Sequence, residues 1–217
     1  MFRTNLTVSV ALLGATAFLI TTTLIILSMP TVWAETFTGT SGPDRIFGGE
    51  EDDLIRGLAG DDFLDGSNGD DGIFGGLGRD TIEGANGDDL MNGGPDDDIF
   101  LSGRGGNDRG VGGPGNDCLG GHGENDVLVG GPGDDCIFGD DGNDNVVGGP
   151  GDDLVQGDST FIGGVGDDLV TGGPGDDELT GGPGADKFSC GPGTDTVADY
   201  DPAEGDTISS NCESMSP

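Results

Sequence analysis

From Gly39 to Ala198 an apolar residue returns at nearly every ninth position, with a small polar loop between successive returns. Ile46, Ile55, Leu64, Ile73 and Ile82 open the series. Met91, Phe100, Leu119, Leu128, Ile137, Val146, Val155, Val170, Leu179, Phe188 and Val197 continue it, and Gly110 is the one exception. An amphipathic helix would repeat its apolar face every three or four residues, and a half-buried strand every second residue. One apolar residue in nine fits neither. It fits a coil in which each repeat is one short strand that gains a core only by stacking on its neighbours.

The repeating unit is Gly-Gly-x-Gly-x-Asp-x-apolar-x, with clean copies at residues 130–138 and 148–156. Numbered one to nine, positions seven to nine predict a three-residue strand. Position eight faces in, and seven and nine face out. Positions one to six predict a tight loop whose glycines at one, two and four permit positive φ. Pro114, Pro132, Pro150 and Pro174 at position three stiffen that loop and donate no N–H.

Position six is the candidate chemistry. It is aspartate in every aligned copy: Asp44, Asp53, Asp62, Asp71, Asp80, Asp89, Asp98, Asp108, Asp117, Asp126, Asp135, Asp144, Asp153, Asp168, Asp177, Asp186 and Asp195. A carboxylate and several carbonyls converging at a turn are hard oxygen donors. They suit Ca²⁺, which takes six to eight oxygens. Thiolate- and imidazole-seeking metals find no Cys or His at the ligand positions of the loops.

Composition sharpens this. The 217 residues include 48 Gly, 42 acidic and only 7 basic residues, for a formal charge of -35. Such a surface repels nucleic acid and anionic lipid, so its natural partners are cations. Apolar content of 32% would suit a disordered chain, but solvated tails do not keep a nine-residue period. The first 34 residues differ: Arg3 precedes an apolar run from Val8 to Met29, then Pro30 and Thr31-Val32-Trp33-Ala34. Two readings stay open. One is a signal peptide cleaved before Glu35, with small residues at the cleavage site. The other is a retained anchor, since the run is long enough to cross a bilayer. Both place the acidic part outside the cell.

The motif resembles the RTX, or haemolysin-type, calcium-binding repeat, and the resemblance covers nearly all of the chain after residue 34. It implies an all-β fold, a right-handed parallel β-roll with two nonapeptides per turn over residues 35–198. A short cap over 199–217 would follow. It also implies that each loop is half of a calcium site and that the matching half lies eighteen residues away. Asp44 would then pair with Asp62, Asp53 with Asp71, Asp117 with Asp135, Asp126 with Asp144, and Asp135 with Asp153. One apolar side chain per repeat is a thin core against the entropy of ordering nine residues, so folding is expected to require multiple Ca²⁺.

The departures carry expectations too. Ser102 is inserted between copies, and Gly110 takes a core position, which marks a weak point. Residues 157–162 form a shortened copy with Phe161 inward and no Asp in register, so a half-site is expected to be missing. Glu51, Asp96 and Glu124 replace the position-four glycine, as added ligands or as solvated charge. In a roll with two repeats per turn, Cys118 and Cys136 are neighbours on adjacent strands, within disulfide range. Cys190 and Cys212 would then pair; free thiols or another pairing are the alternatives. The lone His122 reads as an exposed loop residue. Tyr200 and Ile208 are expected to pack in the tail.

These readings converge on an exported calcium-binding repeat protein with no catalytic activity and no small-molecule substrate. RTX repeats often trail a protease, lipase or epimerase domain, but here repeats begin within a few residues of Glu35. The amino-terminal segment points to the general secretory route rather than a carboxy-terminal export signal. A cell-surface or matrix scaffold built on the same roll is the alternative. Ice binding is disfavoured because no outward threonine ladder appears.

Overall fold

The structure, a computed structural model, describes residues 35–101, 105–158, 165–212 and 214–215. The proposed signal or anchor, Ser102 and Phe161 lie outside the described residues.

The described chain winds as a parallel β-roll. Its strands alternate between two ten-stranded sheets, so each sheet collects every second strand. All strand pairs are parallel and most are offset by eighteen residues, as in Ile55 against Ile73 and Leu64 against Ile82. Parallel pairing needs a return connection between partners. Here the opposite sheet's strand is that connection. Two nonapeptides therefore make one turn.

The core is formed by the position-eight side chains of the two sheets, with Cys190 near one end. Ile55, Leu64, Ile73, Ile82, Met91, Leu128, Ile137, Val146, Val155, Val170, Leu179 and Val197 are fully buried, while Phe37, Ile46 and Ile208 pack at the ends. The short strands alternate as expected: Val127–Val129 and Asn145–Val147 each bury only their central residue. Gly110 is less of a gap than its size suggests. A Cβ there would lie only 3.0 Å from Leu128 Cδ2, so that side chain already occupies the space.

Strand length departs from the three-residue expectation. Leu54–Ala59, Phe63–Asn68, Gly72–Leu77, Thr81–Asn86, Cys118–Gly123 and Cys136–Asp141 run for 6 residues, through positions one to three of the following loop. Each ends on a position-three residue other than proline. Strands that run into Gly-Gly-Pro, such as Leu90–Asn92, Val127–Val129 and Leu169–Thr171, stop after 3. Proline has no N–H to donate to the ladder.

The glycine columns also divide. Many residues at positions two and four have positive φ, as at Gly76 (118°), Gly131 (122°) and Gly133 (146°). Position-one glycines such as Gly57, Gly66 and Gly75 are absent from that set, so conformation does not explain them. They are needed for space: a Cβ at Gly57, Gly66 or Gly75 would overlap the aspartate Oδ2 of its own repeat and the carbonyl of the next turn's glycine.

The irregular copy behaves differently from expectation. The strands Asn145–Val147 and Leu154–Gln156 pair directly with Leu169–Thr171 and Glu178–Thr180. The six extra residues thus add no rung. The aspartate column passes the break intact, with Asp144 bonded to Asp168 and Asp153 to Asp177 across 24 residues. At the Ser102 insertion the offset is 19.

Both disulfides join the expected partners, Cys118 to Cys136 with Cα atoms 4.7 Å apart, and Cys190 to Cys212. The tail stays in register. Thr207–Ile208 pairs with Lys187 and Phe188, Ser214–Met215 pairs with Thr196 and Val197, and Tyr200 and Ile208 pack against the core.

Candidate metal centre

The position-six aspartates form two rails, one along each edge of the roll. In each, the backbone N–H of one aspartate donates to Oδ1 of the aspartate one turn on. One rail runs Asp44, Asp62, Asp80, Asp98, Asp117, Asp135, Asp153, Asp177, Asp195. The other runs Asp53, Asp71, Asp89, Asp108, Asp126, Asp144, Asp168, Asp186. Every expected eighteen-residue pair is juxtaposed. The distances are 2.7 Å for Asp44 to Asp62 and 2.8 Å for Asp117 to Asp135 and Asp126 to Asp144. Asp44 alone is only half-buried; the other position-six aspartates are buried.

Two members escaped the sequence reading. Asp206 extends the second rail by accepting from the Asp186 N–H at 3.0 Å, and the Glu35 N–H starts it on Asp53 Oδ1 at 3.0 Å. The signal for Asp206 was present in Gly205-Asp206-Thr207-Ile208, which has the repeat's Asp-x-apolar spacing behind an irregular loop.

Oδ1 is therefore used inside the protein. Oδ2 is not. In Asp62, Asp71, Asp80, Asp89, Asp98, Asp117, Asp126, Asp135, Asp144, Asp153, Asp168, Asp177 and Asp186 it is buried and accepts no hydrogen bond. It faces the cradle that the position-one glycine leaves open, which the next turn's carbonyl also lines. A buried unpaired carboxylate oxygen is costly. Burial is the main cause pushing these carboxyls up, to about 6 at Asp71 and Asp177, about 7 at Asp89 and about 8 at Asp126 and Asp168, with like-charged rail neighbours adding to it.

The donor set is carboxylate plus carbonyl. Among the described residues no three His, Cys, Asp or Glu side chains converge as a ready cage, so a cation here draws on loop carbonyls. Hard oxygens of this kind fit calcium.

A second ladder lies outside the rails at position five and runs the opposite way. Oδ1 of Asp52, Asp70, Asn125 and Asp134 accepts the N–H of the residue one turn later at 2.9–3.0 Å. These exposed groups already have partners, which separates them from Oδ2 of the rails. Two of the acids at position four are likewise bonded: Asp96 and Glu124 adopt positive φ and accept from the Gly78 and Gly106 amides. His122 is half-exposed, with Nδ1 3.6 Å from Asp140 Oδ2.

Comparison with curated proteins gave no match. The family model described as RTX calcium-binding nonapeptide repeat (4 copies) matches residues 38–73, 66–100, 100–119, 120–155 and 156–197. These segments span most of the chain and coincide with the paired rungs and their aspartate rails, so the chain belongs to the RTX calcium-binding nonapeptide repeat family.

Proposed function

We propose that this chain is an exported, non-catalytic protein whose loops bind multiple Ca²⁺ and which folds on binding. The observation that carries it is the set of buried Oδ2 atoms without a protein partner. Bound calcium would neutralise these carboxylates and link successive turns. The ligands are the position-six aspartates, joined by Asp206, together with loop carbonyls. The polypeptide orients each carboxylate through its Oδ1 bond to the neighbouring turn. It excludes water from the rail, and its position-one glycines hold the cradle open. Family membership and the apolar segment at 8–29 favour secretion, with residues 1–34 as signal or anchor and the tail closing the end of the roll. Calcium is scarce inside cells and abundant outside, so the chain would cross the membrane unfolded and fold on arrival.

The decisive experiment is far-UV circular dichroism of the purified chain, started in chelator and titrated with calcium. The expected result is a cooperative change from coil to β with calcium and not with magnesium, with a midpoint of about 10⁻⁴–10⁻³ M. A β spectrum already complete in chelator would remove calcium from the scaffold.

A surface or matrix role for the same folded roll is the second reading. It is supported by outward-facing apolar side chains, Phe47, Leu90, Ile99 and Leu169, which are 41–48% exposed.

A further inference from the structure

The irregular turn holds a carboxylate that the repeat does not provide. Asp158 follows Gly157 at position two, where most other described turns carry glycine or, as at Leu58, Ser67, Ala85, His122 and Asp140, a residue with positive φ. Its side chain is 0% exposed, and neither carboxylate oxygen accepts a hydrogen bond. The Gly166 amide, close enough to soften its charge, donates instead to the Pro183 carbonyl at 3.2 Å.

Its backbone is tied down: the Asp158 N–H donates to the Gly181 carbonyl at 2.7 Å. Its side chain lies over Gly182 of the next turn, where any Cβ would overlap it. Asp186, Asp144 and Asp141 are its like-charged neighbours, and Asp168 also feels its charge. Asp140, one turn earlier in the same column, has His122 as a partner. Among the described residues no cationic group pairs with Asp158.

A carboxylate with both oxygens buried and unpaired among acids demands a positive partner. We infer that Asp158 is the anchoring ligand of an additional calcium site, outside the nonapeptide pattern. A hard divalent cation there would take the Asp158 carboxylate, share rail carboxylates from Asp144, Asp168 or Asp186, and complete its shell with carbonyls and water. It would bridge the roll before residue 158 to the roll after residue 165 where the repeat is interrupted. This rests on the calcium reading of the rails but adds a ligand that the repeat motif does not contain.

The test is the number of calcium ions bound per full-length chain at saturation, by equilibrium dialysis, for the native chain and for Asp158→Asn. The substitution keeps the size of the side chain and removes its charge. The expected result is a folded variant that binds a single ion fewer. An unchanged count and affinity would overturn the inference while leaving the rails intact. A native chain that binds no calcium would overturn the proposed function itself, and this inference with it. Should Asp158→Asn not fold, crystals of the native chain grown with terbium decide. An anomalous peak within about 2.3–2.6 Å of the Asp158 carboxylate supports the site. Peaks along the rails with none at Asp158 overturn it.

Discussion

The first turns of the roll and the last differ in how far their strands reach. From Leu54 to Asn86, strands of 6 residues carry the ladder through the loops, whose position-three residues are Ala59, Asn68, Leu77 and Asn86. From Leu169 to Ser189 the strands have 3 residues, because Pro174 and Pro183 follow them and Pro192 closes the last loop. The early turns take more of their order from backbone hydrogen bonds. The late turns rely on stiff loops, which lose less entropy on folding, and on the Cys190–Cys212 bridge. The rails are the same in both regions. Loop stiffness and ladder length thus trade against each other around a constant arrangement of carboxylates.

The sharpest way to break this comparison is at position one, where the two regions should respond alike. Gly75→Ala and Gly172→Ala each drive a Cβ into the aspartate Oδ2 of their repeat, and in the first case into the Gly93 carbonyl as well. The cost should exceed the roughly 1–3 kcal/mol of ordinary overpacking. Calcium titration by circular dichroism should show a loss of cooperative folding, or a strong rise in midpoint, for both. A much milder effect in one region would mean that its rail does not hold the metal.

Acidity gives an intermediate effect. A group whose pKa is raised in the folded state stabilises that state below its unfolded pKa, and the contribution is lost as pH rises through the folded value. In chelator the roll should therefore form more readily as pH falls from about 8 towards 5. Asp126 and Asp168, at about 8, should respond at higher pH than Asp71 and Asp177, at about 6. With calcium present the dependence should invert, because protons compete with the metal for the carboxylates. Circular dichroism against pH, with and without calcium, reads both signs. Equal slopes in the two conditions would contradict metal binding by the rails.

The smallest expected effect lies at position two. Ala85 in an early turn has φ of 80°, while Gly173 in a late turn occupies the same place with φ of 134°. Ala85→Gly relieves left-handed strain of about 1–2 kcal/mol but adds chain entropy of about 0.5–1 kcal/mol, for a net gain below about 1 kcal/mol. Gly173→Ala should destabilise instead, since its Cβ would meet the Gly149 carbonyl. Midpoint shifts of opposite sign are the expected readout.

The sequence by itself determined the roll, the register of its core and the positions of the rails. A strict period stacks the apolar residues in one column and the aspartates in another; that two repeats make one turn came from the resemblance to the RTX repeat, because turns of one or three repeats would align the same columns. Given two repeats per turn, the sequence also selected both disulfides, because Cys118 and Cys136 stand one full turn apart. Strand length was not legible in the sequence, whose repeat predicts three-residue strands throughout; only the ladder showed that a proline at position three ends a strand early.

Other features needed the tertiary structure, because they depend on which atoms of one turn meet the next. The position-one glycines are spatial requirements, visible only when the aspartate Oδ2 and the next turn's carbonyl are in place. Gly110 reads as a defect until Leu128 is seen to fill it. The break after Gly157 reads as a missing half-site, yet the rail closes over it because the strands on either side pair directly. Asp206 and Asp158 belong to no intact copy. Their burial follows from the turns stacked around them, a property of packing that no local period encodes.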